Sequence, residues 1–491
     1  MHLFYVLLGQ IFLQFVYGHD TYRAAVVEYA PKLTASTPEA RVMDNVHKYV
    51  EFIEEAATKK RVDIILFAEN GLTGMDIDTE HIDDMSTEVP DPTLFLSPCS
   101  SPSNYSEALV VLSCTAQMHK LYVVVNLIER FVHNSSQKFY YNTNIVFDRR
   151  GVVISRFRKI NLFFEDYITP GNDIATFKSD FGVTFGMFIC NDILFKYPSL
   201  EILADNRITD ILYSVAWFSE IPFLGALSVQ HGYAITNGVN LLASGHARPS
   251  FYNGGSGIYL ANGSVANVYI SGTPISKMLI ADVHKGHRRS SPGSCQSAVS
   301  LSNNHKDVTR DISGFNTIKE NMVNYTFKSL DITQSEIFES LCSTKDSCCS
   351  INITSKRTNF DLNYVYKLAV FKGGRYIATD TIGSRSCGLI ACLNHDNDSC
   401  GKRNSNRLSG IIFEKIVLKG TFQNIRDGQD RPATLNYNLE PIGDYTFCKK
   451  EINKDAVEII LSITKPQTDL LTFGIFGRDF NSDNKGTGVF E

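Results

Sequence analysis

Three strand-like runs in this 491-residue chain end on a residue able to do proton or acyl chemistry. Glu69 closes I-I-L-F-A-E-N-G, Lys159 sits in S-R-F-R-K-I-N-L, and Cys190 ends F-G-M-F-I-C-N-D-I. A thiol with an ordinary pKa of ~8.5 is mostly protonated at neutral pH, so a nucleophilic cysteine needs a base or a positive neighbour. A carboxylate can take that proton. An ammonium can steady both the thiolate and the oxyanion formed when sulfur attacks a carbonyl. Glu, Lys and Cys together suffice for acyl transfer. Singly, each has a plainer explanation: Cys190 as a core thiol, Glu69 as a capping acid, Lys159 as one of several basic residues on a solvated hairpin.

Cysteine parity bears on the same question. Of the eleven cysteines, eight follow residue 290, Cys99 and Cys114 are spaced for a local bridge, and Cys190 stands alone. In an oxidising compartment an odd count leaves at least one thiol free or intermolecular. Short spacings at Cys342, Cys348 and Cys349 and at Cys387 and Cys392 also raise a metal site. They lack the C-x2-C pairs and nearby histidines of tetrahedral zinc, so disulfides and no metal are expected, with the pairing left open.

The elements that must position these residues alternate in period. Thr37 caps and Pro38 starts a helix with Val42, Val46, Tyr49, Ile53 and Ala56 on one face. Helices are also expected over 105–119, 198–206 and 224–237. Continuous apolar runs at 62–68, 121–129, 183–190, 210–217 and 239–244 read as strands buried on both faces. The runs 141–148 and 151–158 form a hairpin through D-R-R-G. Such mixed units imply an α/β layered sandwich. Polar residues that follow strand ends in such sheets converge on ligand sites.

Beyond about residue 285 the texture changes. H-R-R-S-S-P-G-S reads as a linker, and short alternating runs among the cysteines predict a mainly β, disulfide-stapled domain over 286–491, after a first domain over 19–285. Residues 1–18 read as a secretory leader. N-x-[ST] sequons at Asn104, Asn134, Asn262, Asn324, Asn352 and Asn397, each in a polar, loop-like setting, fit a glycosylated, exported protein. No later run reaches the roughly 18 apolar residues of a spanning helix, so a soluble secreted chain is expected. A net charge of -5 without like-charge blocks argues against a nucleic-acid groove.

The F-A-E-N-G-L-T-G, R-K-I-N-L and F-I-C-N-D-I segments resemble, in order, three signatures of the nitrilase superfamily, the carbon-nitrogen hydrolases. D-I-L-Y-S-V-A-W at 210–217, N-G-V-N-L-L-A-S at 237–244 and G-S-G-I-Y at 255–259 are similar to its biotinidase and vanin (pantetheinase) branch. The likeness is dense from Tyr22 to Ala281 and rests beyond that on cysteine content.

This resemblance implies an αββα sandwich with a second, mainly β, disulfide-rich C-terminal domain. It implies hydrolysis of a linear amide of pantetheine or biocytin type through a cysteine thioester, with no metal or organic cofactor. Carried over, Cys190 is the nucleophile, Glu69 the base, Lys159 the oxyanion-stabilising lysine, and the Asn191 backbone N–H completes the oxyanion pocket. A second family acid corresponds to Glu165, at a spacing one residue shorter than usual. Trp217 and Phe218 line the acyl pocket, with a core tryptophan as the plainer alternative. Asn70 stands where relatives have an acid and Asn191 where they have an aromatic; both bear on the substrate more than on the reaction. The rival reading is a catalytically silent glycosylated binding or storage protein on the same scaffold. A papain-like protease lacks its C-G-[SA]-C-[WY] signature here. Nothing in the sequence sets the oligomeric state.

Overall fold

The computed structural model describes residues 20–77, 79–133, 137–286, 295–298, 311–358, 364–404 and 409–484. The leader, the linker-like stretch 287–294 and the sequon at Asn134 lie outside these residues.

The main strands of the first part are β1 (Thr21–Glu28), β2 (Ile64–Leu66), β3 (Tyr122–His133), β4 (Gln137–Phe147), β5 (Val153–Arg158), β6 (Ala175–Lys178), β7 (Thr184–Ile189), β8 (Ile208–Val215), β9 (Asn240–Gly245), β10 (Ser256–Tyr259), β11 (Val265–Tyr269) and β12 (Lys277–His284). They form two sheets, ordered β12-β1-β2-β3-β4-β5 and β11-β10-β9-β8-β7-β6, with a short Ser86–Thr87 strand added on β3. Neighbours β1, β2 and β3 are parallel, as are β7, β8 and β9, while the outer pairs are antiparallel.

Alternation along the strands explains the layers. Ala24, Val26, Ile64, Leu66 and Val124 face inward against Phe185, Met187 and Leu212 of the second sheet. Their sequence neighbours Ala25, Val27, Ile65 and Val123 face outward beneath helices α1 (Pro38–Thr58) and α2 (Glu107–His119). Helix α1 starts as the sequence predicts, with Thr37 Oγ1 accepting the Ala40 N–H at 3.1 Å. Helix α3 (Ala226–Asn237) packs against β9 and β10 on the far side. The result is the expected αββα sandwich.

Three local expectations change. The strand expected over 62–68 ends at Leu66, because the chain then bends toward the second sheet: the Phe67 carbonyl accepts from Ser214 Oγ at 2.8 Å. Residues 198–206 form no continuous helix; two short turns, Lys196–Ser199 and Glu201–Ala204, replace it. Asn352 lies within the strand Ser347–Arg357 and not in a loop, half-buried between the buried Ile351 and Ile353. The sequon asparagines Asn104, Asn262, Asn324 and Asn397 are exposed.

The second part is mainly β, as expected. One sheet carries Tyr445–Asn453, Ala456–Ile463, Ile411–Gln423, Ser347–Arg357 and Glu336–Thr344; the other carries Val365–Ile377, Asp380–Cys392, Leu470–Asn484 and Gly428–Asn436. The Cys349–Cys387 bridge ties the two sheets together. Further bridges are Cys99–Cys114, Cys295–Cys448, Cys342–Cys348 and Cys392–Cys400, leaving Cys190 as the free thiol.

The two parts share a packed seam. Helix α3 lies on Gly428–Asn436, where Ser228 Oγ accepts the Thr434 N–H at 3.1 Å. Phe223 fills a slot over two glycines: a Cβ on Gly388 would stand 3.1 Å from its ring and one on Gly474 2.9 Å. The chain entering the second part pairs in parallel with the first, Glu220 opposite Ile318 and Ile221 opposite Lys319.

Inside the second part, Asp430 is fully enclosed and takes both Arg385 Nε and Nη2 at 2.8 Å, with Lys449 Nζ at 3.2 Å. Removing one partner of a buried pair strands the other charge. Arg385→Met in the full chain is therefore expected to cost about 3–5 kcal/mol in urea unfolding; a loss below about 1 kcal/mol would mean the pair is as weak as a surface one.

Candidate active site

The carboxyl ends of β2, β5, β7 and β8 converge, and the sequence-predicted residues stand just beyond them. Lys159 follows β5 and is nearly sealed from solvent. Its Nζ donates to Glu69 Oε1 at 2.7 Å and to Glu165 Oε2 at 2.5 Å. Glu69 is fixed from three directions: Oε1 also accepts from Asn142 Nδ2 at 2.9 Å, and Oε2 accepts the Ala216 N–H at 2.8 Å just past β8. Burial opposes the Lys159 ammonium, but Glu165 and Glu69 outweigh it and hold its pKa well above the ordinary lysine value. The ammonium is thus present at any physiological pH.

Glu165, the second acid, joins the site despite its unusual spacing, with Asn142 Nδ2 donating to its Oε1 at 2.7 Å. One asparagine therefore bridges both carboxylates. Its own carbonyl accepts from Asn126 Nδ2 at 2.7 Å, and Asn126 Oδ1 takes the Asn70 N–H at 2.7 Å. Asn70 has a left-handed φ of 51°, a conformation asparagine tolerates better than most residues. That backbone bend follows directly on Glu69.

Cys190 stands at the end of β7 with φ +46°, so the chain makes a strained turn at the sulfur-bearing residue. Asp192 holds this turn. Its Oδ2 accepts the Ile189 N–H at 3.1 Å, and its Oδ1 accepts the Asn161 N–H at 2.8 Å and Nδ2 at 2.9 Å. Burial pushes the Asp192 carboxyl up to about 7, partly offset by those donors. The Cys190 carbonyl accepts Tyr213 O–H at 2.8 Å. From the second part, Arg431 Nη2 donates to Ile193 O at 3.0 Å and Arg478 Nε to Leu194 O at 2.8 Å. Both arginines grip the turn that begins with Cys190.

The thiol sits beside the Glu69 carboxylate, the Lys159 ammonium and the Ala216 N–H. Burial and then Glu69 push its pKa well up, against the pull of Lys159. An arrangement of this kind keeps the resting sulfur protonated next to a base positioned to receive that proton, with a fixed cation within reach of negative charge that develops later.

Cys190 and Asn191 open into an apolar cleft lined by Phe163, Leu194, Trp217 and Phe218. Trp217 is also packed as a core residue, its Nε1 donating to Leu224 O at 2.8 Å. Ile318 and Ile377 of the second part complete the walls, with Glu220 among them. No group of three or more His, Cys, Asp or Glu with metal-binding geometry occurs among the described residues.

Sequence reasoning missed Asn126, Asn142, Asp192 and the two arginines. The asparagines had a readable signal, since a carboxamide inside an otherwise apolar buried strand must have a partner. The arginines had none, because their contact depends on how two distant parts pack.

The carbon-nitrogen hydrolase family profile matches residues 23–289, and the vanin C-terminal domain profile matches 315–483. Vanin-like protein 1 of Drosophila melanogaster is 32% identical over 94% of this chain and 87% of its own length. Vanin-like protein 2 of the same species is 31% identical over 97% and 93%. The Homo sapiens protein named pantetheinase is 29% identical over 82% and 80%.

One prediction concerns the thiol. With disulfides intact, iodoacetamide is expected to label Cys190 alone. The rate should keep climbing with pH past the ~8.5 of an ordinary thiol. Peptide mapping that finds another labelled cysteine, or a plateau near that pH, would contradict the geometry above.

Placed together, the two family profiles and the full-length relatives show that this chain belongs to the carbon-nitrogen hydrolases of the nitrilase superfamily, in the vanin branch.

Proposed function

We propose that the protein is an exported pantetheinase-like amidohydrolase that uses Cys190 as nucleophile. A single observation carries this reading: the free thiol stands at a strained strand end beside a lysine clamped between two buried carboxylates. The names of several relatives supply the substrate, pantetheine. Five disulfides among the described residues support folding in an oxidising compartment. No helix among the described residues is long and apolar enough to cross a membrane. The hydrolase domain is assigned to 19–285 and the second domain to 286–491.

In the acylation step Glu69 takes the Cys190 proton as sulfur attacks the amide carbonyl carbon. The oxyanion that forms is stabilised by Lys159 and by the Asn191 N–H, one of the first-turn donors that a helical turn leaves without an internal partner. Glu69 then protonates the nitrogen as the C–N bond breaks, releasing cysteamine and leaving the pantothenoyl group as a thioester on sulfur. Glu69 next takes a proton from water while the water oxygen attacks the thioester. The C–S bond breaks, pantothenate leaves, and the proton returns to Cys190. Glu165 acts on none of these bonds; it positions Lys159. Trp217 and Phe218 hold the acyl chain through apolar contact.

The test is release of cysteamine and pantothenate from pantetheine by the purified protein. Cys190→Ala is expected to abolish it. Lys159→Met is expected to lower kcat by about 100- to 1,000-fold, and Glu69→Gln by about 100- to 10,000-fold. Hydrolysis of biocytin in place of pantetheine would reassign the substrate. Hydrolysis of neither would overturn the reading, as would full activity in Cys190→Ala.

A further inference from the structure

The cleft over Cys190 has an unusual lining. Of its ten residues, seven carry apolar side chains, Cys190 and Asn191 belong to the nucleophile turn, and Glu220 is the charged member. A carboxylate in such a setting needs a partner. Glu220 finds one across the domain seam, where Oε1 lies 3.0 Å from Arg375 Nη2. Arg375 does not line the cleft and is almost fully buried. Its Nη1 is 2.7 Å from Glu320 Oε1, and Glu320 in turn accepts the Tyr325 hydroxyl. Two carboxylates thus share one guanidinium, leaving surplus negative charge on a cluster that touches the cleft only through Glu220.

The position of Glu220 is rigid. Its backbone is locked by the Leu224 N–H to Glu220 O bond at 2.8 Å and by the parallel pairing with Ile318. Ile377, two residues beyond Arg375 on the same strand, contributes to the wall. The second domain therefore both shapes this part of the cleft and fixes its one charge. A carboxylate has room for about four accepted hydrogen bonds, of which Arg375 accounts for the contact at Oε1.

We propose that Glu220 selects the acyl portion of the substrate by accepting a hydrogen bond from a hydroxyl on it, an assignment that rests on the pantetheinase reading above. An ionised carboxylate only accepts, so the matching group must donate. An anionic acyl tail is repelled by the surplus charge. The class that fits is a neutral, branched, hydroxylated acyl chain, whose carbon skeleton meets the apolar walls while its O–H meets Glu220. The pantothenoyl group has that chemistry.

The test compares pantetheine with an analogue in which the acyl hydroxyls are replaced by hydrogen, using wild-type protein and Glu220→Gln in the full chain. Wild type is expected to favour pantetheine by about 10- to 100-fold in kcat/KM, the worth of a hydrogen bond to a charged group. In Glu220→Gln, whose carbonyl accepts only a neutral hydrogen bond, this preference is expected to drop by about tenfold from the wild-type value. Equal wild-type rates on the two amides overturn the assignment even if the variant does not fold, and they leave the pantetheinase reading standing. Full preference retained in a folded Glu220→Gln also overturns it, because another group would then read the hydroxyl. Failure of wild type to hydrolyse either amide overturns both readings.

Discussion

Everything in the site depends on one buried cation held between two buried anions. Lys159 within 2.7 Å of both Glu69 and Glu165 is tolerable in the interior only because each charge is met by others and each remaining lone pair by a donor. The donors come from Asn142, the Ala216 N–H and the Phe163 N–H. Together with the charges they serve, those groups belong to four different segments of the chain, around Glu69, Asn142, Lys159 and Ala216. Satisfying this small ionic group therefore fixes the relative position of the two sheets' carboxyl ends and, with them, the sulfur of Cys190. Preorganised charge of this kind stabilises an oxyanion without reorienting at the moment of reaction.

The candidate site residues were legible because each interrupts a pattern. Glu69 and Cys190 end apolar runs, Lys159 ends an alternating one, and parity singled out Cys190 among eleven cysteines. The alternation of strand and helix periods gave an α/β layered sandwich, and the resemblance gave the αββα order of its layers. The short extent of β2 was not legible, because apolar residues continue past Leu66 while the backbone has already left the ladder for the other sheet. Nor was the role of the second domain. Arg431, Arg478 and Arg375 sit in strands whose local sequence gives no hint that their charges serve groups of the first domain. Contacts between distant segments leave no periodic trace.

The second domain is consequently part of the cleft. It supplies two wall residues, holds two carbonyls of the turn that begins with Cys190 and pairs with the strand that carries Glu220. The strained φ of Cys190 illustrates the division of labour. The first domain generates the turn through Asp192, and guanidinium donors from outside keep its far end from relaxing.

The Phe223 slot draws these points into a different frame. Gly388 and Gly474 lie on neighbouring strands, and a Cβ on either would meet both the Phe223 ring, at 3.1 and 2.9 Å, and backbone of the facing strand, at 3.2 and 3.0 Å. The restriction on those two positions is therefore imposed jointly by the strands' own close approach and by a side chain of the other domain. A side chain added at either glycine would disturb the β ladder and the domain seam in a single step, so the two domains share one steric limit there.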